Sequence, residues 1–386
     1  VPTVSQPIPG PAEPYFNPNV AGLPKYNSGV TVAVARAASG RELIARLGSN
    51  ENPYGCSPAV TRALAAGGVE IGRYSDPGCE ALRAALAAQL GVDAACIVVG
   101  NGSEEMIAAA SRAFLTDGAT ALTVAPAFGL HEIEPLAVGA KVVKVPMTAA
   151  FGFDVAGLEA ALGQEPNLVL LPSPWNPVGA ALDAAELARV IAATSPATMF
   201  LLDEAYREFT SAAVPDGLAM LRAAGVPHIV LRTFSKAYGL AGLRVGYAVC
   251  SSARIARMLS VAKTPFNVNS MAQVAAIAAL GDAAWMRDAT ARIRAERERV
   301  RAALTRQGLA VAPSEGNFLF VDVRRNSSEI AAELLARGVI VKPWNEPKYA
   351  TFLRASIGSE AENDLFLEAL SAVLGMPRYA GVAAIR

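Results

Sequence analysis

Leu231–Tyr247 reads LRTFSKAYGLAGLRVGY. An apolar run, HIVL at 228–231, leads into it after Pro227. Thr233, Phe234, Ser235 and Lys236 follow, then a glycine-rich, weakly charged segment that ends at Arg244. A lysine among apolar residues and small hydroxyls is not an ordinary surface lysine. Low-dielectric surroundings penalise the ammonium, lower its pKa and leave the amine nucleophilic. Such an amine condenses with aldehydes. Ser235, Arg244 and Thr233 are side chains suited to holding a phosphate beside it. An aldehyde that carries a phosphate is pyridoxal phosphate. The plainer alternative is a loop lysine and a structural arginine, and only the context in the rest of the chain decides between them.

At 386 residues the chain exceeds one compact core, so two domains are expected. Apolar residues make up 53%, enough for a large interior, and Lys+Arg and Asp+Glu are both 34. That balance gives no bulk field to attract nucleic acid or an anionic membrane. Cys56, Cys79, Cys96 and Cys250 are scattered, which argues for buried thiols in a reducing compartment and against a disulfide frame or metal site. His131 and His228 are too few for a histidine-rich metal centre, and either could be a satisfied structural histidine. No apolar run reaches the roughly 18 residues of a membrane span. The start of the chain lacks the build of a signal peptide, so the cytoplasm is the expected location.

Residues 1–25 carry seven prolines, a density read as excluding helix, and form an arm that continues to Tyr26. GSNENPYG at 48–55 and RYSDPG at 73–78 are polar turns. GNGSEEM at 100–106 opens a helix, and its glycine-rich start offers free N–H groups to an anion. An ordinary N-cap at Ser103 explains it equally well. From residue 119 to 249, short β-branched runs alternate with helical stretches. That pattern gives an α/β fold with a largely parallel sheet covered on both faces and its chemistry at the carboxyl ends of the strands. Residues 272–310 read as a long helical region broken near Gly281, and the tail alternates again as a smaller α+β unit.

Strand ends supply more parts. Asp203 follows MFLL, and a carboxylate there can pair with a protonated pyridine nitrogen. Asn176, after LVLLP, and Tyr206 can both hydrogen-bond a ring oxygen. Alone, Asp203 reads as a helix cap or surface charge; Asp, Asn and Lys at the ends of separate buried strands is a sharper signal.

Segments SNENPYG, RYSDP, GNGSEEMI, PWNPVG, DEAYREF, RTFSKAYGLAGLRVGY, EGNFLFV, GVIVKP and LRASIGS are spread in order from residue 49 to 359. In that order and spacing the chain resembles the fold-type I pyridoxal-phosphate aminotransferases, and most of all the histidinol-phosphate aminotransferase family. The resemblance implies a mostly parallel seven-stranded sheet with helices on both faces and a smaller α+β domain. It divides the chain into an arm with part of the small domain (1–47), a large cofactor-binding domain (48–270) and a C-terminal small domain (271–386). Lys236 matches the lysine that bonds the cofactor aldehyde and shuttles the substrate Cα proton. Asp203 matches the partner of the ring nitrogen, and Asn176 and Tyr206 the pair on the ring oxygen. Ser103, Glu104, Ser235 and Arg244 match the phosphate site. Tyr54 matches a tyrosine that reaches the phosphate from the other subunit. Arg354 matches the grip on a substrate carboxylate or the equivalent polar end, and Asn317, Asn52, Lys342 and Tyr26 are the other expected substrate-binding residues. The arm is then expected to cross to the partner of a homodimer.

Three departures stand out. The ring-stacking tyrosine is Phe128, Trp175 makes its side of the site more aromatic, and Lys342 replaces an arginine for substrate phosphate. Lysine binds phosphate as a point charge, without the fork. The expected activity is amino-group transfer from an amino acid, or an amino alcohol phosphate such as histidinol phosphate, to a 2-oxo acid, most often 2-oxoglutarate in this family. The alternatives are an aromatic amino acid aminotransferase and a decarboxylase or lyase using the same cofactor. A non-enzymatic relative would lack the lysine or the aspartate, and both are present.

Overall fold

The computed structural model describes residues 16–377 and 379. Its centre is a seven-stranded sheet with spatial order Ile97–Gly100, Gly246–Cys250, His228–Thr233, Met199–Asp203, Leu168–Pro172, Thr120–Ala125, Lys141–Pro146. Only Gly246–Cys250 runs against the others. Apolar side chains leave both faces, as the period of two requires. Val169, Leu171, Phe200, Leu202 and Val230 pack to one side with helices Val155–Leu162, Ala184–Ala192 and Ser270–Leu280. Leu168, Leu170, Leu201, Ile229 and Leu231 pack to the other with helices Gly102–Phe114 and Ala253–Ala262. Burial on both faces is why these strands read as unbroken apolar runs.

A second, antiparallel sheet has order Lys342–Pro343, Phe352–Ser356, Phe318–Asp322, Ala310–Val311. The stretch 339–343 divides between two sheets. Val339–Ile340 pairs in parallel with Ala45–Arg46, and Lys342–Pro343 joins the antiparallel sheet. Helix Ser270–Leu280 buries Ala272, Ala275, Ala276 and Ala279 in the core that holds Val60, Leu82 and Leu86. This moves the domain division we propose from 270 to the turn at Gly281.

One sequence expectation about the fold needs correction. The arm does contain a helix, Pro18–Ala21, because proline at the first helical position lacks only an N–H the helix does not use. The remaining prolines up to Pro14 lie outside the described residues. Helices Val32–Ser39, Gly217–Ala224 and Ala253–Ala262 went unread. Among the described residues no helix is long and apolar enough to cross a membrane, and no cluster could hold a metal ion.

Candidate active site

Gly100, Ala125, Pro172, Asp203 and Thr233 end parallel strands at one edge of the large sheet, and the reversed strand begins there at Gly246. The loops that follow, the antiparallel sheet and arm residues 24–28 enclose a cavity of about 530 Å³. Lys236 enters it half-buried, its Nζ donating to Ser49 O at 2.9 Å. Burial, then the positive charge of Arg354, pushes its pKa down to about 8. Asp203 lies at the base, buried, with Oδ1 accepting from Ala205 N at 3.0 Å. Its Oδ2 stands 3.2 Å from His131 Nε2.

For His131 the structural reading holds only in part. It is fully buried, but its Nδ1 has no partner and its other nitrogen braces Asp203. Nothing local in the sequence marks this contact, which spans 72 residues of chain. His131 lies in the first turn of helix Leu130–Ala137, and its ring meets that of Phe128, just before the helix, edge-on at 5.5 Å.

Tyr206 is buried, which pushes its pKa up to about 12, and its hydroxyl oxygen accepts from Asn50 Nδ2 at 2.9 Å. Sequence reasoning passed over Asn50. Asn176 Oδ1 accepts from Arg354 Nη1 at 2.6 Å, and Arg354 Nη2 donates to Gly48 O at 2.6 Å. The Arg354 Nε is buried without a partner, and burial lowers the guanidinium pKa. A buried cation held only by neutral oxygens is costly unless an anion joins it.

At the other end, helix Gly102–Phe114 starts without a side-chain cap, so the Ser103 N-cap reading fails, and Gly102, Ser103 and Glu104 at its start line the cavity. Arg244 passes so close that a Cβ on Gly102, at φ +77°, would lie 2.6 Å from its Nη2. A Cβ on Gly246 would lie 2.6 Å from Ser103 N. Arg244 Nη2 donates to Glu104 Oε2 at 2.9 Å, and buried Ser235 stands beside them with its N–H on Thr233 Oγ1 at 3.1 Å. Uncapped helix N–H groups, a serine and an arginine packed with room for no extra methyl suit a phosphate. The residues present therefore fit a phosphorylated aldehyde.

Other expected residues fall elsewhere. Asn52 and Asn317 do not line the cavity: Asn52 Nδ2 bonds Ala237 O at 2.9 Å and Asn317 Nδ2 bonds Asn50 O at 3.0 Å, so both brace the loop behind its wall. Trp175 does not make the site aromatic. It is fully buried, stacks near Phe153 at 4.8 Å and donates to Pro126 O at 2.9 Å, whereas Trp344 lines the cavity. Tyr54 lies outside its own chain's cavity, under Arg292 at 3.8 Å. Tyr26, expected to cross to a partner, covers the cavity of its own chain. Its ring meets Phe128 edge-on at 6.2 Å, and Lys342 Nζ lies 5.5 Å away from its centroid. Lys342 also donates to Asn27 O, and burial, then Arg354, lowers its pKa to about 8.

The family model "Aminotransferase class I and II" matches residues 43–370. Histidinol-phosphate aminotransferase 3 of Rhizobium meliloti is 41% identical over 355 residues, 92% of this chain and 96% of the relative. Histidinol-phosphate aminotransferase 1 of Mesorhizobium japonicum is 42% identical over 354 residues, 90% and 95% of the two chains. A crystal structure of histidinol-phosphate aminotransferase from Sinorhizobium meliloti in complex with pyridoxal-5'-phosphate superposes with TM-score 0.86 at 30% identity, covering 95% of this chain and 99% of that one. The chain belongs to the class I and II aminotransferase family.

Proposed function

We propose that the protein is a pyridoxal-phosphate-dependent aminotransferase whose donor is histidinol phosphate or a closely similar anionic amine, with 2-oxoglutarate as acceptor, which would place it in histidine biosynthesis. The observation that carries this is one cavity with a half-buried, weakly basic Lys236 between an anion cradle at Ser103, Ser235 and Arg244 and an unneutralised Arg354. When bound, the cofactor supplies a sink for the electrons left at the substrate Cα. Asp203, braced by His131, holds the ring nitrogen, and Asn176 and Tyr206 hold the ring oxygen. Phe128 covers the ring face. Lys236, with a pKa of about 8, would take the proton from the substrate Cα and deliver it to the cofactor carbon that carried the aldehyde, because an amine that titrates near neutrality both accepts and releases protons readily. Arg354 and Lys342 bind the anionic end of the donor, and Tyr26 shields it from water.

A homodimer accompanies this reading. Tyr54 is turned away from its own cavity, and Ile71, Tyr74 and Val261 are 87%, 84% and 73% exposed, with Tyr74 stacked on Phe266 at 4.5 Å. Four free cysteines fit a reducing compartment such as the cytoplasm.

Mixing the holoenzyme with histidinol phosphate alone tests the proposal. The visible absorption of the aldehyde form should give way to that of the amine form, one equivalent per site, and Lys236→Ala should show neither the lysine-bound absorption nor the conversion. With an amino acid in place of histidinol phosphate, release of carbon dioxide with the aldehyde form regenerated would show a decarboxylase instead.

A further inference from the structure

Asn50 is buried beside Tyr206 in the left-handed region, at φ 54°, a conformation asparagine adopts more readily than most side chains. Its contacts determine how its amide is oriented. The Asn50 backbone N–H donates to Ser356 Oγ at 2.7 Å, and Ser356 Oγ lies 2.8 Å from Asn50 Oδ1. Having accepted the first bond, the serine hydroxyl turns its own proton to Oδ1 in the second. The amide therefore faces Ser356 with its oxygen and Tyr206 with its nitrogen, 2.9 Å from the hydroxyl oxygen. An amide nitrogen only donates. On this side the tyrosine oxygen is an acceptor, so its single proton is left for the cavity that Tyr206 lines. Asn317, bonded to Asn50 O at 3.0 Å, holds the backbone of the loop in place.

We propose that Asn50, held by Ser356, is a positioning residue that aims the Tyr206 hydroxyl proton at the ring oxygen of the bound cofactor. This rests on the reading above, in which Tyr206 faces that oxygen. A proton donated there stabilises negative charge on the oxygen. That charge is greatest once the proton shared with the Lys236 nitrogen has left, so the donor holds the titration midpoint of the lysine-bound cofactor low.

The experiment follows the visible absorption of the holoenzyme against pH in the unaltered protein, Asn50→Asp, Tyr206→Phe and the double variant. The aspartate keeps the acceptor toward Ser356 but presents an oxygen to Tyr206, and the tyrosine proton turns to it, away from the cavity. The midpoint of Asn50→Asp should rise by roughly 0.5 to 1 unit, the size of one ordinary hydrogen bond. Tyr206→Phe should raise it as well, and Asn50→Asp should add nothing in the Tyr206→Phe background. An unmoved midpoint in Asn50→Asp overturns the proposal. So does an equal rise with and without the Tyr206 hydroxyl, because a carboxylate acting through space needs no tyrosine. An unmoved midpoint in Tyr206→Phe overturns instead the placement of Tyr206 on the ring oxygen. Ser356→Ala frees the amide to turn and is the second variant should Asn50→Asp fail to fold or bind. Its midpoint must also rise, and an unmoved one sinks the relay.

Discussion

Replacing Lys236 by Met in the cofactor-free protein isolates the cost of keeping an amine in this cavity. Burial, then Arg354, lowers the lysine pKa from 10.5 to about 8. That gap, at about 1.4 kcal/mol per unit, means the folded state is penalised by about 3 kcal/mol while the amine is protonated. Methionine has a similar length and no charge, so it removes the penalty. It also removes the bond from Nζ to Ser49 O at 2.9 Å, a loss of about 1 kcal/mol. The variant should therefore be more stable by about 2 kcal/mol at pH 7, or roughly 2 to 4 °C in melting temperature for a chain of this size. The sign with pH follows from proton counts. Between pH 8 and 10.5 the unfolded lysine carries a proton that the folded one does not, so wild-type stability rises with pH across that window. The other lysines and the tyrosines titrate alike in both proteins and cancel in the difference. Melting both cofactor-free proteins side by side at pH 7 and pH 10 measures it, since bound cofactor would itself stabilise the fold. The advantage of Lys236→Met should be largest below pH 8 and shrink toward pH 10. An advantage that is the same at both pH values, or a wild type more stable at pH 7, would show that Lys236 is not held near neutrality by its surroundings.

Lys342, with a pKa of about 8, should lose its charge as pH rises through 8, so KM for a phosphorylated donor should climb above that pH in the wild type. Lys342→Arg, which keeps its charge and adds a fork, should hold KM low to pH 9 and widen the preference for histidinol phosphate over histidinol; an unchanged preference would remove Lys342 from phosphate recognition. If Tyr54 completes the partner's site, mixing inactive Lys236→Ala subunits with weakened Tyr54→Ala subunits should restore activity through sites that carry both side chains. No gain on mixing, with the dimer shown intact by sedimentation, would leave Tyr54 a structural residue beneath Arg292.

That Lys236, Asp203 and Asn176 line one cavity was legible because each comes after an apolar strand, and an apolar run that ends in a polar turn is a local signal. Asn50 and His131 were not, because their meaning lies in contacts across 156, 306 and 72 residues of chain. Trp175 misled for a geometric reason. It neighbours Asn176 in sequence, but the loop turns the two side chains apart, one into the cavity and one onto Pro126 O in the core. The arm misled because proline density was weighed without position, and Pro18 occupies the one helical position that proline suits.

The strand Phe352–Ser356 ties these observations together. Arg354 and Ser356 are two residues apart, so the pleat points both the same way. One bonds Asn176 Oδ1 at 2.6 Å; the other fixes Asn50, which bonds the Tyr206 oxygen at 2.9 Å. Both groups proposed to flank the cofactor's ring oxygen are thus held from the antiparallel sheet, although they stand on loops of the large one. The small sheet is itself tied to the rim of the large one through Tyr349, whose hydroxyl donates to Ala125 O at 3.0 Å. A shift of the small sheet that tightened Arg354 on a substrate anion would therefore also move the hydrogen bonds on Asn176 and Tyr206. In the roles proposed for them, Arg354 and Ser356 put substrate grip and cofactor electronics on one strand, so a change in one is expected to reach the other.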